Sequence, residues 1–431
     1  MKKICCLLLC AIPIVVFGKD TIGIRNITNA YKVKSESYTH NSDSIFILNG
    51  NWKEESEKYL YNVQFDVFKK VNSEKKNDFF YLGENCYLGI VFSRFQITLG
   101  RKLFENSSKN LKSYKDGSEG IGVETQITKN FKLKFQFVDY YRAYPLLEKN
   151  FMINPEVEKT NNGNRIRHGF SVDYETETFY ASLFIKYLNL KNWGLLSKDD
   201  PYLKDSGDGD YIYHTGVSLR KTIFNLSLGM DAILSRGLDK ATYNPYRQEN
   251  SIPISGELVT LSLDFEYKFF STHFHVFLPD RDKRNKEGEL LETGFIGMGS
   301  YPGNSFLISQ YLNYYPTGWI TQNGMEKQEA IYLGRNNSLW AYMEMSFVIK
   351  QFQLTLKYDY FIPYKVSDSS TGTISVKRED FEKFFVAEET IALRYGDKGA
   401  YFLEVQASRM ISTSEKPIVG NHALVQGGIW F

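Results

Sequence analysis

The chain has 431 residues, of which 42% are hydrophobic and 16% aromatic, with 30 Tyr and 32 Phe, and its mean hydropathy is −0.35. A sequence this rich in aromatics but this polar overall excludes a polytopic helical membrane protein. Its 52 Lys and Arg against 50 Asp and Glu, with no long basic block, exclude a nucleic-acid partner.

Residues 1–18, MKKICCLLLCAIPIVVFG, carry Lys2 and Lys3, an apolar run, and Val16 and Gly18 at small-residue spacing. This reads as a secretory signal cleaved before Lys19. The run is shorter than the ~20 residues of a spanning helix, and a lipidated Cys10 would follow Leu9, which is bulkier than such a site takes. Cleavage removes Cys5, Cys6 and Cys10, leaving Cys86 alone, so no internal disulfide can form. It also removes two lysines, so the mature chain is formally neutral, with 50 basic and 50 acidic residues. No linker composition divides residues 19–431, and one large domain is expected.

From TIGIRNITNAYKV onward, apolar and polar residues alternate with the period of two that marks a strand with unlike faces. FKLKFQF sets Phe131, Leu133, Phe135 and Phe137 against Lys132, Lys134 and Gln136. TFYASLFIKY, FNLSLGMDA and LVTLSLDFEYKFF follow the same rule, the last opposing Val259, Leu261, Leu263 and Phe265 to Thr260, Ser262, Asp264, Glu266 and Lys268. QFQLTLKYDY sets Phe352, Leu354, Leu356, Tyr358 and Tyr360 against Gln353, Thr355, Lys357 and Asp359. Segments of about ten residues match the 9 to 11 that a tilted strand needs to cross a bilayer.

Connections alternate in length. Short joins are expected at 128–130, 175–177, 220–221, 350–351 and 396–399, and long polar stretches at 143–165, 189–210, 237–256, 279–290, 314–338 and 364–383. Short turns on one side and long loops on the other are the rhythm of a membrane barrel, whereas long loops are uncommon inside compact soluble domains. The expected fold is therefore all-β: a transmembrane antiparallel up-and-down barrel of about 18 strands, with 16 to 20 allowed. Its wet residues face inward and its greasy ones face lipid, with Tyr267 and Phe269 in the aromatic girdle at the short turns.

The final HALVQGGIWF alternates back from Phe431 through Ile429, Gly427 and Val425. It resembles the C-terminal strand of bacterial outer-membrane proteins, which implies that Phe431 and Ile429 signal to the barrel-assembly machinery. YLGIVFSRFQITLGRKLFENSSKN, residues 87–110, resembles the strand, turn and strand of Gram-negative porins. Tyr87, Gly89, Ile97, Thr98, Leu99, Gly100 and Arg101 match the pattern, and Lys102 stands where Gln is common. Val91, Phe92, Ser93 and Arg94 replace the usual Gly-rich turn, which leaves open a sixteen-stranded general porin or an eighteen-stranded substrate-selective or alginate-export type.

Strand order makes residues 103–118 the third external loop, which in porins folds inward and narrows the lumen. That implies constriction roles for Lys102, Glu105, Lys109, Lys112, Lys115 and Asp116, although a solvated external loop fits those charges equally. Parity would aim Arg101 outward and Lys102 inward unless the strand ends or bulges near Gly100. Lys132, Lys134, Asp264, Glu266, Lys268, Lys357, Asp359 and Glu404 are expected to line the pore, because a basic residue facing lipid at the midplane costs roughly 2 to 4 kcal/mol.

Two other groupings read more simply. Asp205, Asp208 and Asp210, near Asp199 and Asp200, lack the order of a calcium loop and fit a solvated acidic loop. His273 and His275 share a face but lack an evident third metal ligand, which favours lumen-lining polar residues. No phosphate cradle, paired-Cys motif or nucleophile elbow occurs, so neither enzymatic activity nor a cofactor is expected.

The expected function is passive passage of small hydrophilic solutes and ions through the outer membrane of a diderm bacterium, with loops at the cell surface. Implied partners are membrane lipid and lipopolysaccharide, the barrel-assembly machinery and the solutes, and a homotrimer is allowed. A substrate-selective or glycan-export barrel, a loop-plugged adhesive or structural barrel and a soluble secreted β-protein remain as alternatives.

Overall fold

The computed structural model describes residues 21–34, 43–70, 78–82, 86–103, 117–141, 165–190, 211–239, 252–280, 283–284, 290–292, 338–363, 386–397, 400–412 and 419–430. The first strands are β1 (Thr21–Lys34), β2 (Asp43–Glu55), β3 (Tyr59–Lys70), β4 (Asp78–Leu82), β5 (Cys86–Phe92) and β6 (Phe95–Leu103). Next come β7 (Gly117–Gln126), β8 (Phe131–Tyr141), β9 (Arg165–Glu175), β10 (Phe179–Leu190), β11 (Tyr211–Ile223) and β12 (Leu226–Asp239). They are followed by β13 (Ile252–Tyr267), β14 (Phe270–Pro279), β15 (Lys283–Arg284), β16 (Leu290–Glu292) and β17 (Ser338–Ile349). The last are β18 (Phe352–Pro363), β19 (Val386–Asp397), β20 (Tyr401–Ser412) and β21 (Val419–Trp430).

All strands but β15 and β16 form one sheet of 19 strands, each antiparallel to its neighbours. β1 pairs with β2 on one side and with β21 on the other, Gly23 lying opposite Trp430, so the hydrogen-bonded ring closes. β3 pairs with β4 through Phe65–Lys69 and with β5 through Tyr59–Asn62. β4 and β5 are thus one interrupted wall strand, and the 19 described strands occupy eighteen places in the ring, as the alternation implies. Among the described residues β15 and β16 pair only with each other, and both lie in sequence between β14 and β17, which are neighbours in the ring.

Eight tight turns lie at one end of the ring, together with the first residue of β1 and the last of β21. Four have two residues, with a positive φ at the first: Ser93 (50°), Phe224 (52°), Lys268 (46°) and Lys350 (54°). A positive φ at that position matches the right-handed twist of the flanking strands. Three others are tied by hydroxyls. Ser56 Oγ accepts from the Tyr59 amide at 3.0 Å, Thr128 Oγ1 from the Phe131 amide at 3.2 Å, and Thr176 Oγ1 from the Phe179 amide at 3.0 Å.

The join expected at Arg220 and Lys221 is a correction. β11 continues to Ile223, and the turn is Phe224–Asn225. Gly100 does carry a positive φ of 119°, yet β6 keeps an unbroken register with both neighbours; the bulge lies instead between β7 and β8, at Glu119 and Gly120.

The faces divide as the alternation requires. Leu88, Leu183, Val259 and Leu261 point outward and are exposed, whereas Ser218, Asp231, Thr260, Ser262 and Asp264 point inward and are buried. An apolar outer face is stable only against hydrocarbon or another apolar surface. At the tight-turn end that face carries exposed Tyr59, Phe92, Tyr267, Phe269, Tyr395 and Tyr401, with ring pairs such as Phe352–Tyr395 at 4.8 Å.

Candidate functional site in the barrel interior

Because each strand alternates, register alone sets which inward side chains meet. One register line runs across eight strands: Ser227, Asp264, His273, Glu344, Lys357, Thr390, Ser408 and His422. Every member is polar or ionisable, and three neighbouring pairs are in contact. His273 Nδ1 lies 2.7 Å from Asp264 Oδ1, Lys357 Nζ 3.8 Å from a Glu344 oxygen, and Thr390 Oγ1 donates to Ser408 Oγ at 2.9 Å.

The next line toward the loops contains Ser262, His275, Tyr342, Asp359, Glu388 and Met410. Its His275 and Tyr342 rings stack at 4.7 Å and 11°. One line further, Thr260 donates to Asp231 Oδ2 at 2.6 Å, and Phe277 meets Trp340 at 4.8 Å. Beyond it Ile212, Ile233, Ile254 and Leu258 are inward and buried, interleaved with a buried polar line of His214 and Ser235. Over β11–β14 the ion pairs thus lie near the tight turns, and the loop side mixes apolar residues with His214 and Ser235.

Asp264 is the hub of the polar region. Since a carboxylate only accepts, His273 donates from Nδ1 and His275 from Nε2, the latter at 3.3 Å. The Arg220 guanidinium stands 2.7 Å from Oδ2. The contact falls outside hydrogen-bond geometry, so it is mainly Coulombic.

Three further pairs cross neighbouring strands. Lys134 lies 2.8 Å from Asp173, which also accepts from Ser182 at 2.7 Å. Lys357 faces Glu344, and Arg394 lies 3.8 Å from Glu404, which accepts from Gln426 at 2.8 Å. Exposure sorts these charges by role. Asp264 and Asp173 are 4% and 3% exposed, so they brace the wall, while Lys134, Glu344, Lys357 and Arg394 keep 21–23% and reach the lumen.

Lys132, Lys134, Asp264, Lys357, Asp359 and Glu404 thus occupy the inward face expected of them. Glu266 shares Asp264's parity but is exposed at the tight-turn end. Lys268 is a correction: it sits in the β13–β14 turn, with Nζ 5.1 Å from the Tyr267 ring centroid, so it caps the hairpin and does not line the interior. Lys102 is in β6, but its side chain is outside the description, as are residues Glu105, Lys109, Lys112, Lys115 and Asp116 in the third connection. Asp199, Asp200, Asp205, Asp208, Asp210 and Phe431 also lie outside the described residues. Ile429 points outward opposite Tyr401.

Arg220, Glu344, Glu388 and Arg394 were missed by the sequence reading. Arg220 falls where a turn is expected, Glu344 shares its face with Trp340 and Tyr342, which hides the polar pattern, and Glu388 and Arg394 lie on a strand where Glu389 breaks the alternation. Among the described residues no group of three or more His, Cys, Asp or Glu is placed to hold a metal ion.

No family model and no curated protein sequence matches the chain. Solved structures do. The chain is similar to OccK1 (OpdK) of Pseudomonas aeruginosa at 9% identity and a TM-score of 0.55, covering 96% of this chain and 99% of that one. It is similar to Pseudomonas aeruginosa OpdQ at 9% identity and a TM-score of 0.56, covering 96% and 98%. The structure of Pseudomonas aeruginosa OpdK with vanillate matches at 9% identity and a TM-score of 0.53, covering 96% and 99%. The fold is thus that of outer-membrane porin-type barrels, spanning nearly the whole chain.

Proposed function

We propose that the chain is an outer-membrane channel of a diderm bacterium that lets small hydrophilic solutes and ions cross passively down their gradients. The observation that carries this reading is the inversion of faces. A closed ring exposes leucine, valine and phenylalanine outward and turns Lys134–Asp173, Glu344–Lys357 and Arg394–Glu404 inward. Such a wall is stable only if lipid lies outside and water inside.

Opposite charges alternate along the wall instead of forming a ladder of one sign. That supports weak ion selectivity over a glycan-export role. The apolar inward surface around Phe277 and Trp340 favours, as a second reading, preference for solutes with an aromatic or aliphatic part. The vanillate seen with OpdK, a small aromatic acid, is a solute of that kind. On this reading residues 1–18 are the cleaved export signal, and Phe431 with Ile429 engages the barrel-assembly machinery. The connections at the end opposite the tight turns face the cell surface. The role requires no catalysis and no cofactor.

The test is planar-bilayer conductance of the purified mature chain. Discrete steps with weak ion selectivity, and a cut-off with solute size, are expected; steps in groups of three would indicate a homotrimer. A folded, inserted barrel that never conducts would overturn the channel reading in favour of a plugged structural or adhesive barrel.

A further inference from the structure

Charged side chains on the lipid-facing surface are costly except near the membrane edges, where the cost falls to roughly 0 to 1 kcal/mol. Arg236 is one of them: it is exposed and outward-facing, three residues from the loop-side end of β12. Nη1 donates to the Ser235 carbonyl at 2.9 Å and to the Gly256 carbonyl at 3.2 Å, which fixes the plane of the guanidinium. Glu257 is on the same outward face, yet the guanidinium turns to the carbonyls. Among the described residues the donors on Nη2 and Nε have no other acceptor.

Arg236 ends an outward register line. Across β8 to β12 it reads Phe137, His168, Tyr187, Tyr213 and Arg236. Phe137 and His168 lie 6.0 Å apart, His168 and Tyr187 stack at 6.3 Å and 9°, and Tyr187 and Tyr213 lie 4.7 Å apart. From Tyr213 to Lys221, which bonds Thr178 near the turn at 3.2 Å, β11 covers about 26 Å along the strand. At a tilt of roughly 40° that is about 20 Å of depth, close to the ~25 Å apolar band of such barrels. The line therefore lies at the headgroup level of the leaflet on the loop side. On the far wall the corresponding cation, Arg409, stands directly opposite Glu389; Arg236 stands between Tyr213 and Ser255, with no carboxylate opposite it.

We propose that this line is a docking surface for a phosphorylated glycolipid of the outer leaflet, the lipid A moiety of lipopolysaccharide, whose phosphate takes the guanidinium of Arg236. A guanidinium held by two carbonyls offers its remaining N–H groups as a planar fork that fits phosphate oxygens. Tyr213, Tyr187 and His168 supply the amphipathic rings that settle at a headgroup boundary. The inference rests on the outer-membrane reading but not on conduction, because Arg236 lies outside the lumen.

The test is native mass spectrometry of the full mature chain, folded in detergent and titrated with diphosphoryl lipid A, with fully dephosphorylated lipid A, and with inorganic phosphate. Wild type is expected to bind the diphosphoryl form at least tenfold more tightly than the dephosphorylated form. Arg236→Gln should abolish that difference, and Arg236→Lys should restore part of it. Folding of each variant is checked by heat-modifiable gel mobility. If Arg236→Gln does not fold, Tyr213→Leu is measured in its place and should weaken binding several-fold. Equal binding of the two lipid forms, an unchanged affinity in the variants, or displacement of the lipid by millimolar inorganic phosphate would overturn the proposal. Bilayer conductance of Arg236→Gln should match wild type, so failure of the channel reading is recognised separately.

Discussion

Arg220 on β11 reaches Asp264 on β13 at 2.7 Å, bridging over β12. The inward residue of β12 opposite Arg220 is Gly229, which leaves the guanidinium room to cross. One ion pair thereby ties three successive strands. Its carboxylate is almost fully buried, so removing one partner strands the other in a poorly solvated place. Asp264→Ala is expected to cost about 1 to 3 kcal/mol, less than a fully buried pair because Arg220 is partly exposed. Arg220→Ala together with Asp264→Ala should cost less than the sum of the two. Urea midpoints of the folded band measure all three variants, and strict additivity would refute the coupling.

Glu344 and Lys357 face one another at 3.8 Å with about a fifth of each side chain exposed. Each sets part of the potential that a passing ion meets, and removing one leaves the other unopposed. Glu344→Gln should shift reversal potentials toward anion preference, and Lys357→Gln toward cation preference. Shifts of the same sign, or no shift in either variant, would show that these residues do not face the conduction path.

Phe184 on β10 lies across Gly216 on β11, its opposite number in register. A Cβ built at Gly216 would collide with the ring, over which the Lys186 ammonium stands at 5.6 Å from the centroid. Gly216→Val should therefore destabilise the barrel by about 1 to 3 kcal/mol through overpacking. Adding Phe184→Leu should recover part of that loss in thermal unfolding; no recovery would place the strain elsewhere.

Lys350 opens its hairpin with φ at 54°, a conformation that costs L-residues energy and that glycine adopts freely. Lys350→Gly is expected to leave stability unchanged or raise it by up to about 1 kcal/mol, whereas Lys350→Val should lower it by about 1 to 2 kcal/mol. Thermal midpoints of the two variants check the order, and the reverse order would argue against a left-handed first position.

The same backbone feature explains where reading the residues failed. Phe224–Asn225, Lys268–Phe269 and Lys350–Gln351 turn without the Asn-Gly or Gly-X signature of two-residue hairpins. Lys350–Gln351 is still legible because the alternation stops there. At Arg220–Lys221 the charges suggested a turn that the chain does not make. Lys268 looks inward-facing in the sequence for a related reason, because its parity continues one residue past the end of β13 at Tyr267.

Alternation with a period of two is a local property of the chain, so Val259 against Thr260 already separates two unlike faces, and its repetition between alternately short and long connections implies a ring with lipid outside. Which inward groups meet is a non-local matter. Arg220 with Asp264, Phe184 over Gly216, and the Phe137-to-Arg236 line depend on how far each strand is slid against the next. Backbone hydrogen bonding is satisfied at many such offsets, and only closure of β21 onto β1, with every strand placed at once, selects one. For that reason the faces could be read from the residues in order, while the pairs on them required the folded ring.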